Sequence, residues 1–92
     1  MSEEEICQMI ECGKHLVPDH MWSGVSNYFV RRITPGSFLR ALLENRDVLT
    51  VVAMADDVNV ISLQKWVRFL YNYVPGNSWG SPDKVQDWLL GP

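Results

Sequence analysis

Val60-Ile61-Ser62-Leu63-Gln64-Lys65-Trp66-Val67-Arg68-Phe69-Leu70-Tyr71-Asn72-Tyr73-Val74 is the stretch on which the fold turns. Val60, Leu63, Trp66, Val67, Leu70, Tyr73 and Val74 recur at three and four residues, the repeat that gathers side chains on one side of an α-helix. They cover well over half the circumference and leave Lys65, Arg68 and Asn72 as a narrow polar stripe. A helix this widely apolar has to be surrounded, so 60–74 is expected as the central helix of an all-α domain, with five or six short helices packed around it.

The flanking segments supply those helices. Asp56-Asp57-Val58-Asn59 punctuates the chain before the central helix, its adjacent carboxylates read as helix caps. Val48 to Ala55 is rich in strand-forming residues but has no strand to pair with, and Asp47 can cap it, so it reads as helix. Phe38, Leu39, Leu42 and Leu43 mark a short amphipathic helix ending near Asn45. Trp22, Val25, Phe29 and Ile33 mark another from His20 to Ile33, with Arg31 and Arg32 at the end where the helix dipole favours cations. Thr34-Pro35-Gly36-Ser37 is the break between those two. Pro75-Gly76-Asn77-Ser78 is a turn, and Ser81-Pro82-Asp83 opens a last helix with Val85, Trp88 and Leu89 inward. At the other end, Ser2 and three glutamates start a helix that Gly13 ends, carrying Ile6, Met9 and Ile10. Val17, before Pro18, is pushed to extended backbone. The expected division is an N-terminal helix or arm over 1–18 and a globular helical domain over 19–92.

With 92 residues, 47% hydrophobic and 21% charged, the chain has the composition of one folded domain. Four Trp, three Tyr and three Phe are many large apolar groups for so small a core, which favours a homo-oligomer that covers the excess. The net charge of −3 argues against a partner bound by neutralising phosphates, so no specific nucleic acid is expected. No apolar run reaches the length needed to cross a bilayer, and Glu3 to Glu5 stand where a secretion signal carries basic residues. A cytoplasmic chain with no membrane partner follows, with Cys7 and Cys12 as thiols.

Little in the sequence points to catalysis. Cys7, Cys12, His15 and His20 are of the types that bind zinc, yet the cysteines stand about 140° apart on a helix, so no metal is expected. No Gly-x-Ser-x-Gly elbow and no phosphate-cradling glycine loop occurs, and the expectation is a non-enzyme without catalytic residues or cofactor. Two groups suit a ligand. Pro35, Gly36 and Ser37 start a helix whose unpaired backbone N–H groups, beside Arg31, Arg32 and Arg40, could hold an anion; a plain helix corner has the same residues. Tyr71, Asn72 and Trp79 place aromatic faces and an amide at the end of the central helix, where they could stack on a base or anchor a partner; a small core closed by Tyr71 and Trp79 would use them too.

Pro35-Gly36-Ser37-Phe38-Leu39, Ala55-Asp56-Asp57-Val58-Asn59, Leu70-Tyr71-Asn72 and Trp79-Gly80-Ser81-Pro82, in this order and spacing, resemble a group of small uncharacterised proteins of bacteriophages and prophages. The resemblance spans roughly His20 to Leu89 and leaves 1–18 outside it. It brings no catalytic residues with it. What it implies is a viral accessory protein in the host cytoplasm, of the counter-defence kind. The leading reading is sequestration of a nucleotide immune signal, its phosphate on the Pro35–Ser37 turn and its base against Tyr71 or Trp79. A blocker of a host defence protein is the second reading, and a structural or assembly role the third.

Overall fold

The computed structural model describes residues 1–91. Among them are seven α-helices and no strand: α1 (Glu3–Cys12), α2 (Trp22–Arg31), α3 (Ser37–Leu43), α4 (Val48–Met54), α5 (Asp57–Ile61), α6 (Leu63–Asn72) and α7 (Pro82–Leu90), with two short 3₁₀ turns at Lys14–Leu16 and Asp19–Met21. The all-α single domain expected from the sequence is what forms.

Local chemistry sets most helix starts. Ser2 and Glu5 bond each other's backbone N–H in a capping box, Asp47 accepts from the Thr50 N–H, Asp56 from the Asn59 N–H, and Ser81 from the Lys84 N–H ahead of Pro82. Two helix ends use a left-handed residue that is not glycine. Arg32, at φ 60°, closes α2, and Asn45, at φ 58°, closes α3.

The central segment differs from expectation in one respect. It is not one helix over 60–74 but two, divided at Ser62, where a β-branched run (Val58, Val60, Ile61) meets a serine and helix propensity is weakest. The inward side chains are Leu63, Trp66, Phe69, Leu70, Tyr73 and Val74, while Val60 and Val67, expected inside, are exposed. Ile33 lies beyond the end of α2 and is likewise exposed. The outcome follows from area: the rings of Trp66 and Phe69 remove far more apolar surface from water than two valines do.

Phe69 lies at the centre of the core, its ring within 6.5 Å of those of Trp22, Phe29, Trp66 and Tyr73. Val25, Tyr28, Leu39, Leu43 and Val85 close the rest. Segment 1–18, set apart as an arm from the sequence, contributes Ile6, Ile10, Leu16 and Val17 to this same core. A Cβ at Gly13 would lie 2.5 Å from Tyr73 Cγ, so the α1 C-terminus can approach α6 only because this residue is glycine. Two bonds tie down the 75–81 loop: Tyr28 Oη donates to the Ser78 carbonyl at 2.6 Å, and the Gly80 N–H donates to the Leu43 carbonyl at 2.7 Å. None of the helices is long and apolar enough to cross a membrane.

Candidate functional site

The nine residues expected to bind a ligand fall in four places. Arg31 is exposed and donates to Asn27 Oδ1 at 3.1 Å on its own helix. Arg32 turns away towards α7, its guanidinium 3.6 Å from the Trp88 ring centre and donating to the Trp88 carbonyl at 2.8 Å. It borders a hollow of about 420 Å³ with Asn77, Lys84 and Asp87. Tyr71 and Trp79 do meet, edge to face at 5.1 Å, and Asn72 donates to the Arg68 carbonyl. That pair lies towards the far end of α3 from the Pro35–Ser37 turn, since Gly80 bonds to Leu43, about 9 Å along the helix from Ser37.

Ser37 and Arg40 border one hollow of about 410 Å³ between α3 and α4, together with Glu44, Arg46, Asp47, Thr50 and Met54. Pro35 is half-buried and Gly36 exposed, and Gly36 offers no side-chain cap. Glu44, 7% exposed, accepts from Arg40 Nε at 3.1 Å and Arg46 Nε at 3.0 Å. Burial alone would raise its carboxyl, but the two guanidinium hydrogen bonds and their charge outweigh that and hold it below the usual range. The arginines are therefore already half-neutralised from within. Arg46 and Glu44 were missed in the sequence reading; the four-residue step from Arg40 to Glu44 was the available signal.

A second surface was not expected at all. Of the seven residues of α4, only Val51 is buried, against α3. Val48, Leu49, Val52 and Ala53 occupy an outward arc of about 140° on a 3.6-residue period, and all four are exposed. Leu49 is 81% exposed. On α5, Val58 and Ile61 continue the apolar character, Ile61 at 84%. Asp56 and Asp57 stand at the start of α5, Asp47 at the start of α4 beside the hollow it shares with Arg40 and Arg46, and no lysine or arginine occurs between 47 and 61. Asp47 is held below its usual pKa chiefly by the Thr50 N–H, and Asp56 by the Asn59 N–H and then by His20, whose Nε2 lies 2.8 Å from Asp56 Oδ2. Both are carboxylates at neutral pH.

Among the described residues no three His, Cys, Asp or Glu side chains gather as metal ligands. No protein-family model matches the chain, and no curated protein or solved structure matches it.

Proposed function

We propose that this chain acts by binding another protein through the outer face of α4 and α5, as a non-catalytic factor that occludes its partner's surface. The observation that carries the reading is α4 itself. A helix apolar around nearly its whole circumference belongs in an interior, yet α4 buries only Val51, half-buries Thr50 and turns the other five residues to solvent. At roughly 60–120 Å² per aliphatic side chain, the exposed parts of Val48, Leu49, Val52, Val58 and Ile61 leave about 190–390 Å² open. That approaches the apolar part, about 450 Å², of one partner's share of a standard interface. In the phage setting that the sequence resembles, the occluded surface would belong to a host defence protein.

Sequestration of a phosphate-bearing ligand keeps one specific support, the hollow where Ser37, Arg40 and Arg46 meet. It ranks second because Glu44 occupies both arginines and the Tyr71–Trp79 pair stands at the other end of α3. One experiment separates the two. A photo-crosslinking residue at position 49, with the exposed position 86 on α7 as control, is introduced into the chain in its native cells. Protein adducts of discrete mass at 49 and not at 86, lost in Ile61→Glu, are expected; their absence removes the proposal. Calorimetry with cyclic di- and trinucleotides and ADP-ribose derivatives runs beside it. Micromolar binding that Arg40→Ala abolishes would put the ligand reading first.

A further inference from the structure

We infer that the α4–α5 face takes an apolar protein segment bracketed by lysine or arginine, and not a second copy of this chain; the inference rests on protein binding as the function proposed above. Its basis is where the charge lies. The chain carries 11 acids and 8 bases, and three of the acids, with no lysine or arginine, lie between 47 and 61. The other acids and bases balance, 8 against 8, so the whole net charge of −3 sits on the segment that also exposes the aliphatic side chains.

Of the neighbouring cations, Arg40 and Arg46 border the α3–α4 hollow with Asp47, which leaves Asp56 and Asp57 as the acids beside the outer face. Arg46, next to Asp47 in sequence, directs its Nε to Glu44, and His20 is the only basic side chain hydrogen-bonded to an aspartate of this segment among the described residues. Asp57 is exposed and enters no ion pair there. A two-fold dimer would bring the same patch onto itself, and that patch has no lysine or arginine on α4 or α5 to meet its aspartates. A partner whose apolar stripe ends in Lys or Arg meets both features at once: aliphatic contact across the Leu49–Ile61 region and opposite charges at the rim. Anchor residues at the centre with complementary charge around them also fix which way the partner lies.

Two synthetic helical peptides test this, identical in a Leu/Ile stripe and differing only in Lys or Glu at both ends. Fluorescence anisotropy of each labelled peptide is titrated with the full chain at about 50 mM and about 500 mM salt. The Lys-flanked peptide should bind about tenfold or more tightly at the lower salt, with the ratio shrinking at the higher. Leu49→Glu should remove binding. Asp47→Ser with Asp57→Lys, which keeps an oxygen at the α4 cap, should bring the ratio to one or reverse it, with circular dichroism reporting an intact helical fold. Equal affinities, or no binding of either peptide, overturn the inference. So does a dimer at tens of micromolar in sedimentation that Leu49→Glu dissociates. Crosslinks at position 49 to another protein, together with no charge preference, would leave protein binding standing and remove only this inference.

Discussion

At the residue scale the fold depends on a few ring contacts and one missing side chain. Trp66 is fully buried, and its Nε1 donates to Oδ1 of Asn59, itself 2% exposed, at 3.2 Å. Trp66→Ala should cost about 3–5 kcal/mol in urea unfolding, and Trp66→Phe, which keeps a ring but orphans the amide oxygen, about 1–3 kcal/mol. Gly13 and Gly24 should respond in opposite senses to alanine. At Gly13 the new methyl meets the Tyr73 ring, and a loss of about 1–3 kcal/mol is expected. At Gly24, inside α2 with nothing within 4 Å, helix propensity should raise stability by up to about 1 kcal/mol. Melting temperatures of the two variants check both signs. That Trp66 faces inward was legible from spacing. That Phe69 and not Val67 joins it was not, because 63/66/67/70 and 63/66/69/70 both follow helical steps, and only the relative size of ring and valine decides between them.

The helices were legible where their ends are written in local chemistry: Ser2, Asp47 and Ser81 cap as their positions imply, and Val48–Met54 is the helix that its lack of a strand partner suggested. The face a helix buries is another matter, because it depends on what lies beside it. An apolar sequence such as that of α4 gives no direction, and contact with α3 selects Val51. Val51→Ala should therefore destabilise by about 1–2 kcal/mol, whereas Leu49→Glu and Ile61→Glu should each stay within about 0.5 kcal/mol of the parent. Denaturant curves for the three variants test that contrast. Amide hydrogen exchange should be faster in α4 than in α6, whose Trp66, Phe69 and Leu70 are all buried; equal protection would contradict the single-anchor description.

For the molecule as a whole, charge sets the response to pH. Glu44, Asp47 and Asp56 all titrate below their ordinary values of 4.5, 3.8 and 3.8. A carboxyl depressed in the folded state contributes its stability in full above the unfolded value and loses it as pH falls through the folded one. The urea midpoint should thus be flat from about pH 8 to about 5 and decline below that. Glu44→Gln should cost about 1 kcal/mol at pH 7, modest because both arginines are half exposed, and should make the acid decline shallower. The candidate ligand site was the least legible part at this scale. Arg31, Arg32 and Arg40 are close in sequence, but the left-handed turn at Arg32 sends its side chain to Trp88 while Arg40 faces Glu44, and no pattern within one helix reveals such a parting. The attachment of α4 through Val51 has a consequence for how this chain can vary over time. Positions 48, 49, 52 and 53 contribute little to folding, so substitutions there are screened almost wholly by the partner they meet, and a change in that partner can be followed without the fold being re-solved. The protein is in this sense a fixed frame with one rewritable side, and a library randomised at those four positions should yield folded members at nearly the parental frequency.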